Sequence, residues 1–327
     1  MGAAFRNGLA RLIAASMILL AVSLPALAAD YTIKSAYRLT FTSIGVTKGD
    51  FAKKYDLAIE PLTFPTGIEI NEALLTGSVD VGEVGIAPLA TLLTRTSDVV
   101  AVGVTDIGGG RYKTVVRKES PYKSMDDLLG KKVAIKVGSG NYAAFLTYIK
   151  SRGWKESDFK IVNAGDQEAI AALTEGSVDA VIYWEPIVST LVAKGIARPI
   201  FSFKGVVNNP TFLVMPREFV KNERETATRF IAAYMDTQEL LATDVPAAAK
   251  LVVEGMSASG QKVDPKVIEL AIPSVDYKIE MGPQVIADVK ATWQLLKKTG
   301  KLRGNEPDWN VAFDGSLIEA AKKLRGE

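Results

Sequence analysis

The sequence predicts an α/β protein with two lobes, each a sheet flanked by helices. Three observations support this prediction: a length of 327 residues, the alternation of strand-like and helix-like segments, and an internal repeat. A chain of this length exceeds what one hydrophobic core usually supports, so it favours two lobes. The composition is that of a folded globular protein, because 48% of the residues are hydrophobic and 23% are charged.

The first 28 residues have the layout of a secretory signal peptide. Arg6 and Arg11 precede an uncharged apolar run at 12–24, and Ala26-Leu27-Ala28 supplies the small residues that favour cleavage after Ala28. The alternative, a membrane anchor, needs about 20 apolar residues, whereas this run has 13. We therefore expect a soluble protein that is exported to the periplasm.

From residue 31 onward, strand-like segments alternate with helix-like ones, which implies parallel sheets with helices on both faces. The predicted strands are 31–37, 58–62, 79–84, 99–105, 114–117, 132–137, 160–163, 180–183 and 212–215. The predicted helices are 46–54, 68–75, 88–95, 142–151, 167–174 and 186–194, together with most of the chain from residue 217 onward.

An internal repeat divides this pattern into two halves. Gly77-Ser78-Val79-Asp80 recurs as Gly176-Ser177-Val178-Asp179, and each copy joins an Ala/Leu-rich helix to an apolar strand. The glycine is suited to end the helix in a left-handed conformation. Two copies of one α/β unit predict two similar lobes, and the strand at 212–215 returns the chain to the first. The expected lobes are 29–117 plus 207–327, and 118–206, with crossings near 114–120 and 201–211.

Charge and composition exclude several classes of function. The sequence has 39 basic and 37 acidic residues, and removal of Arg6 and Arg11 with the signal peptide leaves the two in balance. A nucleic-acid-binding protein is therefore not expected. Histidine and cysteine are absent, which excludes disulfides, cysteine nucleophiles, Ser-His-Asp catalysis and ordinary zinc sites. We expect neither a metal nor a cofactor.

The candidate site lies in the loops at the carboxyl ends of the strands, where open α/β sheets bind ligands. Several of these loops open helices, whose free N–H groups favour anions. One of them, Gly138-Ser139-Gly140-Asn141-Tyr142-Ala143, fits the pattern G-x-G-x-x-A. Three interpretations of this loop are open. It could be a dinucleotide fingerprint, although the acidic residue that should accompany one is misplaced. It could instead bind a small ligand through Ser139 and its backbone amides, or it could be a purely structural turn.

Three further residues have competing interpretations. Trp184 is either a core aromatic or a wall for an apolar part of the ligand. Glu185 either receives a ligand cation or forms a salt bridge at a hinge. Arg111 follows three glycines that allow a ligand to approach the backbone closely. Its guanidinium either pairs with a sulfonate or carboxylate or lies on a solvated strand face.

At these loops the sequence resembles the substrate-binding proteins of the nitrate/sulfonate/taurine branch of ABC importers. This branch shares its fold with the thiamine-precursor-binding and NMT1/THI5-like proteins. The resemblance covers essentially the whole chain after the signal peptide, in order. Its matching stretches are Phe64-Pro65-Thr66-Gly67, 72–80, Gly85 with Pro88, 131–142 and 179–186, and more loosely 209–216 and 282–302.

The resemblance implies a type II-like periplasmic binding protein fold, in which two lobes close on a solute. It also implies delivery of that solute to a membrane permease that a cytoplasmic ATPase drives. We expect a monomer. Carried over by position, the resemblance implies that the solute contacts Thr40, Phe41, Thr42, Gly67, Gly85, Ile86, Ala87, Arg111, Ser139, Gly140, Asn141, Tyr142, Trp184, Glu185, Asn209 and Thr211.

Two departures from the family pattern bear on the solute. Taurine-type members place an acidic residue where this chain has Gly110-Arg111-Tyr112, and alkanesulfonate-type members often place a polar residue where it has Ile86. Both departures disfavour an amino-sulfonate. We expect a small organic anion, first a sulfonate with an apolar body and next a carboxylate.

Three alternatives to this function stay open. The first is a binder of a neutral heterocycle, such as a thiamine-precursor-like pyrimidine, and the second is a ligand sensor for a membrane receptor. The third is an enzyme, which is disfavoured because relatives that synthesise a pyrimidine consume a histidine, and this chain has none.

Overall fold

The computed structural model describes residues 29–278 and 280–327, so the predicted signal peptide lies outside the described residues. The described chain forms two five-stranded sheets with helices around them. The strands are β1 (Tyr31–Tyr37), β2 (Leu57–Thr63), β3 (Val81–Gly85), β4 (Val99–Ile107), β5 (Tyr112–Arg117), β6 (Lys132–Ile135), β7 (Lys160–Asn163), β8 (Ala180–Trp184), β9 (Ala197–Ser202) and β10 (Pro210–Pro216). The helices are α1 (Phe41–Lys48), α2 (Gly67–Leu75), α3 (Ile86–Arg95), α4 (Gly140–Ser151), α5 (Asp166–Glu175), α6 (Ile187–Ala193), α7 (Arg217–Asn222), α8 (Arg224–Thr243), α9 (Val245–Ala258), α10 (Pro265–Ala271), α11 (Pro283–Lys298) and α12 (Ser316–Arg325).

The two sheets have the same topology. The first has the order β2-β1-β3-β10-β4 and the second the order β7-β6-β8-β5-β9. In each sheet the first three strands of the order run parallel, and the fourth is antiparallel to its neighbours. That antiparallel strand enters from the other half of the chain. The predicted α/β fold with two lobes is thus correct, but each sheet is mixed rather than wholly parallel.

The pairing of β5 differs from the lobe boundary predicted from the sequence. The sequence predicts residues 112–117 in the first lobe, whereas the structure pairs Tyr112–Arg117 with β8 and β9 of the second sheet. Only a single 3₁₀ turn, Gly109–Arg111, separates β4 from β5. The chain therefore passes between the two sheets at 108–111 and again at 203–209, and the first of these segments contains the three consecutive glycines Gly108-Gly109-Gly110.

Helix α1 begins earlier than the sequence predicted. The expected helix was 46–54, but α1 begins at Phe41 because the Thr40 side chain accepts a hydrogen bond from the Ser43 amide, and the Ser43 hydroxyl accepts one from the Thr40 amide. This reciprocal capping satisfies two amide groups that a helix start leaves free. As a result, the start of the helix lies directly after β1.

Each sheet has apolar side chains packed on both of its faces, as expected for sheets covered by helices. Strand β4 is buried along almost its whole length, and α8 supplies Phe230, Ile231 and Tyr234 to the core of the first lobe. A further apolar cluster joins α1 to α9 and α10. Within the described part of the chain, no helix combines the length and the apolar character that crossing a membrane requires.

Candidate functional site

A cleft of about 500 Å³ lies between the carboxyl-end loops of the two sheets. Its walls come from the strand-end loops of both sheets and from both crossings. Ten of the residues predicted from the sequence line it: Thr40, Phe41, Gly85, Arg111, Ser139, Gly140, Trp184, Glu185, Asn209 and Thr211.

The first-lobe wall is built at the start of α1. The Thr40 hydroxyl donates a hydrogen bond to Glu83 Oε1 at 2.8 Å, which ties the loop after β1 to strand β3. Phe41 is the first residue of the helix, and Gly85 precedes α3. Capping therefore fixes the position of this wall and presents the beginning of a helix to the cleft.

Glu83 is a buried carboxyl group beside this wall. It is 1% exposed and accepts hydrogen bonds from Thr40 and, at 2.8 Å, from the hydroxyl of Tyr234. Burial and, after it, the negative charge of Asp106 together raise the pKa of the Glu83 carboxyl to about 7, against the opposing effects of Arg38 and the two hydrogen bonds. A group that titrates near neutral pH is therefore hydrogen-bonded to Thr40, which lines the cleft.

The second-lobe wall is built at the start of α4. Ser139 caps this helix by accepting a hydrogen bond from the Tyr142 amide. The ring of Trp184 stacks on that of Tyr183, with ring centroids 4.7 Å apart. Tyr112 accepts a hydrogen bond from the Asn209 side chain at 2.9 Å, so the second crossing is held to this wall.

Arg111 lies in the cleft, but its guanidinium is already paired. Its Nη2 is 2.8 Å from Oδ1 of Asp106, whose side chain is 2% exposed. The preceding glycines also have a packing role, because a Cβ at Gly109 would overlap the carbonyl oxygen of Val207 and one at Gly110 that of Ser274. Gly109 and Gly110 therefore permit close backbone packing at the crossing.

Glu185 is occupied as well. Its Oε1 accepts a hydrogen bond from Lys113 Nζ at 2.7 Å and one from the Ser274 hydroxyl at 3.2 Å, while Oε2 accepts one from the Ser189 amide. Lys113 also donates to Ser274, at 2.6 Å. Of the two interpretations of Glu185, the salt bridge is the one observed, and Ser274 extends it to the helical tail.

Six of the predicted residues do not line the cleft. Thr42 is 1% exposed within α1, and Asn141 is fully buried, where its side-chain amide donates to the Ile182 carbonyl at 2.6 Å. Ile86 and Tyr142 pack against the apolar cores of the first and second lobes. The remaining two, Gly67 and Ala87, lie in α2 and α3.

Six lining residues were missed: Arg38, Leu39, Tyr112, Pro186, Met256 and Val275. Arg38 and Pro186 adjoin predicted site residues and fall in loops that the strand pattern marks. Met256 and Val275 come from the helical tail, where nothing in the local sequence points to a site. Among the described residues, no three metal-ligating side chains are arranged to hold a metal ion.

Comparison with known proteins gives a consistent result. The family model described as NMT1/THI5 like matches residues 61–248. An Escherichia coli strain K12 protein named for binding aliphatic sulfonates is 28% identical over 189 residues, which cover 58% of this chain and 59% of that protein. The taurine-binding periplasmic protein of the same strain is 26% identical over 208 residues, covering 62% and 64%. The chain thus spans about three fifths of the length of these relatives.

A solved structure extends the likeness in fold. The periplasmic aliphatic sulphonate binding protein SsuA from Escherichia coli superposes with a TM-score of 0.71 at 22% identity. The superposition covers 86% of this chain and 91% of that one. At this level of identity the likeness establishes the two-lobed fold.

Proposed function

This chain belongs to the NMT1/THI5-like family, and we propose that it is the solute-binding component of an ABC importer. In this proposal the protein is exported to the periplasm, its lobes close on a small organic anion, and the loaded form delivers the anion to a membrane permease. The names of the curated relatives support the proposal, because both describe proteins that bind sulfonates, taurine itself being one.

One observation carries the proposal: the cleft lies between the lobes and takes its walls from both of them. We assign residues 29–107 and 210–327 to one lobe and residues 112–202 to the other, following the two sheets. A ligand that contacts both walls binds the closed form better than the open one, which is the condition for closure on binding. Trapping by closure requires no chemical step, so we propose that the protein is not an enzyme.

The lining supports an organic anion with an apolar body. Polar groups lie at the starts of α1 and α4, where Thr40 and Ser139 cap helices whose N-terminal ends favour negative charge. Phe41, Trp184 and Met256 provide apolar surface in the same cleft. A cleft that combines apolar surface with fixed polar groups is the usual form of a small-molecule site.

A thermal-shift screen of the purified mature chain tests this proposal. The panel contains alkyl sulfonates, alkyl carboxylates and neutral pyrimidines, and calorimetry follows for each solute that raises the melting temperature. We expect stabilisation by sulfonates first and carboxylates second. Stabilisation by pyrimidines alone would replace the proposed solute with a neutral heterocycle.

Two further measurements separate transport from the competing classes. An NMR spectrum of the bound solute after prolonged incubation should show it unchanged, and a new product would make the protein an enzyme. If a permease and an ATPase are encoded beside the gene, vesicles that contain them should take up the solute only when the loaded protein is added. Uptake that does not depend on the protein would favour a sensor.

A further inference from the structure

Two arginines line the cleft, Arg38 and Arg111, and of the two only Arg111 forms an ion pair with a described residue. Arg111 is held by Asp106 at 2.8 Å. The guanidinium of Arg38 forms no hydrogen bond or ion pair with any described residue, and its Nε is buried without a partner. A buried donor left unpaired costs free energy comparable to a lost hydrogen bond, and a guanidinium keeps its charge at any ordinary pH. Arg38 is therefore a cation in the cleft that lacks an anion.

Glu83, the acidic residue that interacts electrostatically with Arg38, does not form an ion pair with it. Glu83 and Arg38 influence each other electrostatically. However, both oxygens of Glu83 are hydrogen-bonded elsewhere, one to Thr40 and the other to Tyr234. The pKa of Glu83, raised by burial to about 7, also means that this group is largely protonated below neutral pH. The positive charge of Arg38 is consequently available to a ligand.

The carboxylates show the opposite arrangement. Glu185 is the one acidic residue among the described residues that line the cleft, and its side chain is 2% exposed. It is bonded to Lys113, Ser274 and the Ser189 amide. Asp106 is likewise occupied by Arg111. A ligand ammonium entering the cleft would lose its hydration without gaining a free carboxylate, which is costly.

We propose that the Arg38 guanidinium binds the anionic group of the solute, and that the site selects organic monoanions that carry no ammonium group. This inference rests on the proposed function and narrows its substrate class to sulfonates or carboxylates with an apolar, uncharged body. The planar fork of the guanidinium matches two oxygens of either group. The apolar body packs against Phe41, Trp184, Met256 and Val275, which line the same cleft.

Matched ligands test the selectivity on the unmodified protein. Taurine differs from ethanesulfonate by an amino group, and butanesulfonamide differs from butanesulfonate in having no charge. Calorimetry should give a dissociation constant at least tenfold weaker for taurine than for ethanesulfonate, and for the sulfonamide than for butanesulfonate. Binding of taurine as tight as that of ethanesulfonate would overturn the selectivity, whatever any variant does.

Variants test the residue. Arg38→Gln should weaken butanesulfonate binding about tenfold to hundredfold, because a charged hydrogen bond is lost. The affinity of Arg38→Lys for butanesulfonate should lie between that of the parent and that of Arg38→Gln. The sulfonamide should lose much less affinity. Arg95→Gln is the matched control, because Arg95 lies at the end of α3 and pairs with exposed Glu72; it should bind like the parent.

The outcomes separate the two proposals. If no sulfonate or carboxylate stabilises the parent protein, the proposed function fails. If the parent binds them and Arg38→Gln binds equally well, this inference fails while the proposed function stands. Should Arg38→Gln not fold, Arg38→Lys and the matched ligands still decide the question.

Discussion

At the scale of single residues, Glu83 links the stability of the protein to pH. Its pKa rises from an ordinary value of 4.5 to about 7, first through burial and then through the charge of Asp106. The folded state therefore holds a proton that the unfolded state releases between these two values. The stability that this proton contributes is fully present below pH 4.5 and is lost as the pH rises through about 7.

Glu83→Gln isolates this effect because the amide cannot ionise. Relative to the parent, the variant should gain stability between pH 5 and pH 8, by up to roughly 3 kcal/mol. The measurement is urea unfolding of both proteins at several pH values. Parallel pH profiles for the parent and the variant would show that Glu83 is ionised throughout, and the assigned effect of burial would then be wrong.

Also at this scale, the sequence locates the site better than it assigns roles within it. Strand ends mark the loops around Thr40, Ser139 and Trp184, because the carboxyl ends of parallel strands meet at one edge of a sheet. The role of Arg111 depends on its pairing with Asp106, and that of Glu185 on Lys113, which lies 72 residues away in the chain. Such pairings follow from packing in three dimensions and leave no local pattern.

At the scale of elements, the repeated Gly-Ser-Val-Asp segments have one structural role in both lobes. Asp80 Oδ2 accepts a hydrogen bond from the Lys34 amide of β1 at 2.8 Å, and Asp179 Oδ2 accepts one from the Lys132 amide of β6 at 2.9 Å. The backbone amide of each aspartate donates to the carbonyl of the same lysine. The repeat therefore fixes the start of β3 beside β1 in the first sheet and the start of β8 beside β6 in the second.

Alanine at either aspartate should destabilise its own lobe. We expect Asp80→Ala to cost about 1 kcal/mol for one exposed hydrogen bond, and Asp179→Ala somewhat more because it also loses the Tyr122 hydroxyl. The effects should add in the double variant, since the two sites lie in separate sheets. Urea unfolding followed by circular dichroism measures all three variants.

Asp50→Ala is the control for this comparison. Asp50 is 83% exposed and pairs only with Lys53 among the described residues, so its removal should cost less than about 0.5 kcal/mol. Losses for Asp80→Ala and Asp179→Ala no larger than that of the control would mean that the repeat has no anchoring role.

Strands and helices with a clear hydrophobic pattern could be predicted from the sequence. Those that depend on pairing with distant parts of the chain were missed. The strand at 197–202 was not predicted, because Arg198 and Pro199 interrupt its apolar pattern. It forms nonetheless as an edge strand beside β5, where proline is tolerated. Strand β5 belongs to the second sheet because it pairs with β8 and β9. These long-range pairings leave no pattern in the local sequence of β5.

At the scale of the whole molecule, the two crossings lie side by side and form the hinge that the proposed closure requires. The Gly109 amide donates to the Asn208 carbonyl at 3.0 Å, and the Gly108 amide donates to the Asn209 carbonyl at 3.3 Å. The crossing segments 108–111 and 203–209 are therefore held together, and we expect closure to bend both of them at the same place. The cleft adjoins this hinge, since Arg111 and Asn209 belong both to the crossings and to the cleft wall.

Such an arrangement predicts that a bound solute both compacts and stabilises the molecule. Contacts with both walls favour the closed form, so X-ray scattering at saturating butanesulfonate should give a smaller radius of gyration than scattering without it. At a solute concentration 100 times the dissociation constant, binding adds about 2.7 kcal/mol of stability. That corresponds to a rise in melting temperature of roughly 5–10 °C for a lobe of this size.

The Arg38→Gln variant supplies the control for closure. At a solute concentration near the parent's dissociation constant, the variant should remain largely unliganded and keep the scattering curve of the free protein. The same variant at a concentration high enough to saturate it should compact like the parent, because the hinge and the apolar walls are unchanged. Calorimetric binding to the parent without any change in its radius of gyration would mean that the solute binds within a fixed cleft, and trapping by closure would have to be abandoned.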